Sequence, residues 1–345
     1  MANDGVSTRI LDHIVHLTPP GTLEESVCAF RNLGFTYVQP LLPVHNACIQ
    51  ILTNSEQPSV TPGGTHADGQ TANALVVFAD GTYLELLHFT QRPPSPSSRA
   101  SSTRHPWAAK LPGWIDYAFL GNAGTPSIAQ TINARAAADG SGVQYAPEVR
   151  GGRTRTDGRV LEWLITAPRP ATDVDTDELE NHPRDRDGEA GDGVRGRLPF
   201  FCGDVTPRAW RVPLEPRSNT SHANTAQGIT HVKLLVLPAQ LAAYAQQLTT
   251  ALGVPPRDST ATASSSLREF VWELERQPEQ FAETGIGKVP ALLILKAAGE
   301  DDQEEREYVR TRGAGIYELG VAVADAGKEG VVNTPYGRIV FRRSQ

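Results

Sequence analysis

The stretch Leu11-Asp12-His13-Ile14-Val15-His16-Leu17, followed at once by Thr18-Pro19-Pro20-Gly21, decides the fold. Its apolar residues and histidines read as a strand, which the proline pair ends. Thr22 is placed to cap a helix over residues 23–33 that stops at Gly34. Leu23, Val27, Phe30 and Leu33 recur in it at helical spacing and form its expected buried stripe. Two further strands, 74–78 and 83–89, flank the turn Ala79-Asp80-Gly81-Thr82. With another strand expected between Thr36 and Val60, the order is β-α-β-β-β.

Beyond a Pro/Ser-rich connector at 92–103 the same order returns. It comprises a strand at 114–120, an Ala-rich helix at 127–138 ending at Gly140, and strands at 143–148 and 160–166 around Thr156-Asp157-Gly158. A short strand at 198–202 closes it. The stretch 171–197 is dense in Asp, Glu, Arg and Gly, buries too little to offset its ordering entropy, and reads as a disordered insertion. A third section opens at Gly228 with a strand over 229–237 that carries His231 and a helix over 238–252. Strands follow at 270–274, 291–297, 316–323 and 338–341, with an acidic loop at 299–307. Ile229-Thr230-His231-Val232-Lys233 echoes Leu11-Asp12-His13-Ile14-Val15, and Tyr317-Glu318-Leu319 echoes Tyr83-Leu84-Glu85-Leu86. Repetition at this scale means stacked or paired units of one kind.

The 345 residues carry 32 basic and 39 acidic side chains, a net charge of −7, with 39 % hydrophobic and 21 % charged residues. That composition suits a globular chain and gives no basic field for nucleic acid. No apolar run is long enough for a membrane helix, and the N-terminus lacks the order of a signal peptide. Three cysteines are too few for a disulfide framework or a clustered zinc site. The expectation is a cytoplasmic protein with a small-molecule partner, without nucleic-acid or membrane partners; a homodimer is left open. Dinucleotide, Walker, nucleophile-elbow and His-Glu-x-x-His motifs are absent.

His13 and Glu85 are the sharpest pair. Strand alternation puts Leu11, His13, Val15 and Leu17 on one face, and Tyr83, Glu85, Leu87 and Phe89 on one face of another strand. In a curved sheet the imidazole and carboxylate would converge, as metal ligands or as a base with its orienting partner. The plainer reading is a buried His bonded to a Glu in a sheet core. His66, between Gly63-Gly64 and Gly69, and Asn73 at a strand entrance make a second candidate, against a loop capped by its own side chains. Arg153 and Arg155, in Gly151-Gly152-Arg153-Thr154-Arg155, could clamp a carboxylate or phosphate or belong to a surface turn. His16 and His88 fall one register off, as packing residues.

These segments, together with Pro62-Gly63-Gly64-Thr65-His66, Thr71-Ala72-Asn73-Ala74-Leu75 and Leu198-Pro199-Phe200-Phe201, make the chain resemble the glyoxalase-like domain family of the vicinal oxygen chelate superfamily. The resemblance covers about residues 10–215 and, more loosely, the third section. It implies an α+β fold of repeated βαβββ modules (10–91 and 113–204) forming curved mixed sheets, with a third related module over 228–345. It further implies a divalent metal (Zn, Ni, Mn or Fe) held by His13 and Glu85, with His66 completing the set. Glu85 and His66 would be catalytic, and Asn73, Arg153 and Arg155 would bind substrate. The expected activity is that of a metal-dependent isomerase or lyase that chelates adjacent oxygens and stabilises an enolate-like anion. A metal-free binding protein and a ring-cleaving dioxygenase are the alternatives. Two departures stand out. The second module offers Asp116-Tyr117 and Phe201-Cys202-Gly203 where relatives carry ligands, and Tyr37–Val60 adds over twenty residues between segments that relatives join. His231 and Glu318 raise the further option of a second site, against a decayed repeat.

Overall fold

The computed structural model describes residues 6–36, 64–91, 105–123, 126–155, 157–169, 195–257, 269–283, 289–334 and 337–344. The strand expected between Thr36 and Val60, the connector 92–103 and almost all of 171–197 lie outside these residues. The first unit comprises β1 (Leu11–Leu17), α1 (Leu23–Asn32), β2 (Gly64–Thr65), β3 (Thr71–Val77) and β4 (Tyr83–Phe89). The second comprises β5 (Gly113–Leu120), α2 (Ile128–Asp139), β6 (Gln144–Tyr145), β7 (Val149–Thr154), β8 (Val160–Thr166), β9 (Pro168–Arg169) and β10 (Phe200–Asp204). A four-residue helix, α3 (Arg208–Arg211), follows. Eight of these strands form one mixed sheet in the order β2-β3-β4-β1-β5-β10-β8-β7. β4 runs parallel to β1, whereas β5 is antiparallel to it and joins the two modules. Ala67 N donates to Gly152 O at 3.0 Å, so the outer edges of the sheet nearly meet in a barrel-like curl.

Local chemistry accounts for most element ends. Ser127 accepts from Gln130 N at the start of α2, and Gly140 ends it in the left-handed conformation. Thr22 does not cap α1; its hydroxyl instead donates to Pro19 O at 2.8 Å. The second module's sheet strand lies at β7 and not at 143–148, so Gly151-Gly152-Arg153 is strand rather than turn. A Cβ on Gly151 would fall 2.4 Å from Trp163 Nε1, so glycine is what lets the indole lie against this strand. β1 carries a bulge between Leu11 and His13. Leu11 therefore turns into the helix-side core with Ile14 and Phe30, while Val15 and Leu17 join the barrel interior with Phe200 and Cys202.

The C-terminal section builds a six-stranded sheet from β11 (Ala226–Val236), β12 (Glu269–Glu273), β13 (Leu292–Ala297), β14 (Gly315–Val323), β15 (Gly330–Thr334) and β16 (Gly337–Arg343). Two helices accompany it, α4 (Leu241–Leu252) and α5 (Gln303–Arg312). Its order, β12-β13-β11-β14-β16-β15, is that of the first sheet without the two outermost strands. The β11–β14 register shifts, at Ile229/His231 and Lys233/Leu234, match those of β1–β5 at Leu11/His13 and Val15/His16. By pairing, His231 stands where His13 does. Glu318, opposite Lys233, stands where Asp116 stands opposite Val15. His13 pairs with Tyr83, two residues before Glu85, and His231 pairs with Leu292, so Ile294 occupies the position of Glu85. The echo between Glu85 and Glu318 is thus one of sequence and not of topology. The stretch read as an acidic loop enters α5, where Asp302 accepts from Glu305 N and Glu304 and Glu305 occupy the first turn. The two sheets share a core that includes Phe30, Ile132, Leu234, Leu248 and Leu319. Among the described residues no helix is long and apolar enough to cross a membrane.

Candidate active site

A cavity of about 440 Å³ lies within the curl of the first sheet, lined among others by His13, His66, Asn73, Glu85 and Arg153. Five of the six residues singled out from the sequence thus meet in one place. β1 supplies His13 beyond its bulge, β4 supplies Glu85 and β3 supplies Asn73. His66 comes from the β2–β3 turn and Arg153 from β7. Glu85 sits between the two imidazoles: His13 Nε2 is 3.7 Å from Oε2, and His66 Nε2 is 3.6 Å from Oε1.

Each group is held from behind. Asn73 Nδ2 donates to Glu85 Oε1 at 2.5 Å, and Asn73 Oδ1 accepts from Arg153 Nη1 at 2.9 Å. His13 Nδ1 lies 2.9 Å from Asp12 Oδ2, and the ring stacks on Tyr83 with centroids 4.6 Å apart. Asp12 is itself clamped by Arg208 at 2.6 Å and Arg211 at 2.9 Å, both delivered by α3. Burial pushes the Asp12 carboxyl upward, but the two arginines and His13 outweigh it and hold it well below the usual carboxylate range. The ionised Asp12 engages His13 Nδ1 and so turns the ring's Nε2 towards Glu85. His66 Nδ1 is 2.7 Å from Thr71 Oγ1. Burial lowers the His66 pKa despite the nearby Glu85, so the ring is neutral at pH 7. Its Nε2 faces the amide donor of Asn73 at 3.4 Å, the geometry of an acceptor nitrogen.

The atoms that converge on the middle of the site are therefore electron-pair donors: two imidazole nitrogens and a carboxylate. Two imidazoles and one carboxylate are the donor types that suit a divalent transition ion, and a carboxylate behind the imidazole is the usual support of such a ligand. As the side chains lie, no three His, Cys, Asp or Glu groups among the described residues are drawn into a closed metal-ligand cluster. Among the described residues the second module lends the cavity no carboxylate or imidazole. It contributes Trp163, Ile165, Phe200, Cys202 and arginines. Burial pushes the Cys202 thiol up to about 12, so it stays protonated. Asp116 is engaged by Trp107 Nε1 at 2.8 Å and Arg195 at 3.0 Å.

A family model described as a glyoxalase-like domain matches residues 11–253, the whole of the first sheet and on through β11 and α4. The chain belongs to the glyoxalase-like domain family. A hypothetical protein from Staphylococcus aureus has the same fold, at 10 % identity and a TM-score of 0.55, covering 97 % of this chain and 99 % of its own. Two further structures reach lower TM-scores and carry no functional argument. A xylose isomerase-like TIM barrel/4-hydroxyphenylpyruvate dioxygenase fusion protein scores 0.45 at 11 % identity, over 95 % of this chain and 38 % of its own. A mutant of 4-hydroxymandelate synthase from Streptomyces coelicolor scores 0.43 at 10 % identity, over 96 % of this chain and 78 % of its own. No curated protein sequence matches the chain.

In this glyoxalase-like domain Arg155 is the expected site residue that does not arrive. It pairs with Asp157 at 3.0 Å and donates to Trp210 O at 3.0 Å, outside the cavity lining. Strand alternation would put Arg153 and Arg155 on one face, but β7 ends at Thr154, so Arg153 is held inside by the strand while Arg155, beyond its end, turns to Trp210 O. Sequence reasoning missed Asp12, whose orientation depends on the bulge, and the aromatic wall of Trp107, Trp163 and Phe200. Tyr83 was findable, because it shares a strand face with Glu85. His105, just ahead of the second module, also lines the cavity, and burial lowers its pKa to about 4. His16 packs on the helix side between Phe30 and Trp114, with centroids 5.2 and 4.8 Å away.

Proposed function

We propose that this cavity is the active site of a glyoxalase-type isomerase or lyase acting on a small oxygen-rich organic molecule. The observation that supports it most is the meeting of His13, His66 and Glu85 in one enclosed space, with Asp12, Thr71 and Asn73 orienting them from behind. A divalent ion held by His13, His66 and Glu85 would act there as a Lewis acid towards adjacent substrate oxygens. The protein's own groups define the rest. Asn73, itself oriented by Arg153, holds Oε1 of Glu85, so Oε2 is the atom on the cavity side that can take up and return a proton. Asp12 holds the His13 ring from behind, with Nε2 directed at Glu85. Trp107, Trp163 and Phe200 exclude water and strengthen each electrostatic contact inside.

A metal-free binding protein on the same frame is the second reading. It is favoured by the lack, among the described residues, of any carboxylate or imidazole from the second module. Elemental analysis of the purified protein beside His13→Ala and Glu85→Ala separates the two. A bound transition ion lost in both variants supports the enzyme and directs a screen of isomerase and lyase substrates. A folded protein that takes up no added Zn, Ni, Mn or Fe supports the binder.

A further inference from the structure

Four arginines line the cavity, and three of them face a carboxylate. Arg150 meets Glu162 at 3.4 Å, Arg195 meets Asp116 at 3.0 Å, and Arg211 meets both Asp12 and Asp204. Arg153 differs. It is 4 % exposed, and among the described residues it has no carboxylate in contact. Among the described residues this guanidinium makes one hydrogen bond, from Nη1 to the neutral oxygen of Asn73, and its buried Nε meets no partner. Glu85 acts on this cation only across Asn73, and burial outweighs it and lowers the guanidinium's pKa; a buried cation with no carboxylate in contact is costly. Such a cost is retained where a ligand supplies the missing charge. The guanidinium fork matches the two oxygens of a planar carboxylate. Beside it the wall is flat and apolar, built from Trp107, Trp163 and Phe200.

We propose that Arg153 seats a carboxylate of the substrate, which makes the cavity's ligand a small organic monoanion with a flat, unsaturated body. One guanidinium with no carboxylate in contact fits one negative charge, and the aromatic wall fits the uncharged remainder. This deepens the reading of the cavity as an active site, on which it rests. It adds a consequence for Glu85. A carboxylate on Arg153 would engage the same guanidinium that orients Asn73, so the bound anion and the carboxylate of Glu85 are joined through one arginine–amide relay.

The test uses the full chain with benzoate and its neutral isostere benzamide, followed by quenching of tryptophan fluorescence and by thermal shift. Benzoate is expected to bind and benzamide to bind roughly tenfold or more weakly, the value of a charged hydrogen-bonded contact. Arg153→Gln should lose the preference and melt at a higher temperature than wild type without ligand, because the uncompensated charge is gone. Arg153→Lys should keep part of the preference. Equal binding of the two probes, no binding of benzoate, or a preference that survives Arg153→Gln would overturn the proposal. Inorganic phosphate displacing benzoate with equal or greater affinity would also overturn it, in favour of a phosphate seat. Ion content on the same samples keeps the two readings apart, since Arg153 is not among the proposed ligands. A benzoate preference in a protein that takes up no ion would leave the carboxylate seat standing on a binding protein. A bound ion without that preference would remove the seat alone.

Discussion

The two sheets share a strand order and a pair of β1-type bulges, yet one encloses a cavity and the other a closed ion cluster. Across from His13 on β5 stands Ala118, and the imidazole turns instead towards β4, stacking on Tyr83 and facing Glu85. Across from His231 on β14 stands Gly320, where a Cβ would fall 2.1 Å from His231 Nδ1. The missing methyl lets His231 lie over β14, where Nε2 meets Glu318 at 3.0 Å. Glu318 also takes Lys233 at 2.6 Å and Arg338 at 2.8 Å. Every charge in the second cluster is matched within the protein, while the first keeps inward-facing donors and an unmatched Arg153. One methyl group opposite the histidine, and one carboxylate moved from β4 to β14, separate a site from a staple.

The largest expected effect falls on the open side of this comparison. Glu85→Gln should lower turnover, in whichever isomerase or lyase assay the substrate screen returns, by roughly 10²–10⁴-fold, the usual worth of a general base. Its melting temperature should barely move. A variant that unfolds with its activity per folded molecule intact would make Glu85 a structural residue like Glu318.

Glu318→Gln should do the opposite. Losing the charged partner of Lys233 and Arg338, which also bonds His231, costs about 2 kcal/mol by urea unfolding at pH 7, and leaves probe binding in the cavity unchanged. Burial acts to raise the Glu318 pKa, but hydrogen bonds from His231, Lys233 and Arg338 outweigh it and hold the carboxyl far below its ordinary value. A depressed carboxylate stabilises the fold fully above the unfolded pKa of about 4.3 and loses that contribution as pH falls towards the folded value. The stability gap between wild type and Glu318→Gln should therefore be constant from pH 8 to about pH 5.5 and shrink at pH 3. A gap that widens on acidification would contradict the ion-cluster assignment.

Gly320→Ala sharpens the steric argument. It should push His231 off Glu318 and cost between about 1 and 2 kcal/mol, in the range of an overpacked site. His231→Ala made on top of it should recover part of that loss, whereas additive losses would mean that the methyl is accommodated elsewhere. The smallest effect belongs to Arg155→Ala, which removes a contact with a partly exposed aspartate and a hydrogen bond to Trp210 O. Stability should fall by about 1 kcal/mol, with probe binding unaltered. Lost probe binding would return Arg155 to the site.

The chain's periodicity was enough to set the β-α-β-β-β order, because alternation at two residues and spacing at 3.6 are local properties of the backbone. It also paired His13 with Glu85, each the polar residue among apolar neighbours on its strand face, and the modules' parallel β1–β4 contact did the rest. What escaped it depends on who stands opposite whom. The bulge at Asp12 turned Leu11 away and freed Asp12 to reach Arg208 and Arg211. Glycines that read as a turn proved to be a strand passing under Trp163. Arg153 and Arg155 are alike in sequence, and only the closing of the sheet buried one and left the other at the rim. His231 and Glu318 repeat the spelling of His13 and Glu85, but strand pairing placed the second carboxylate on the wrong neighbour. Local patterns determined the elements and their faces. Register, cross-strand sterics and charge balance decided which of those faces became a site, because each depends on contacts between residues distant in the chain.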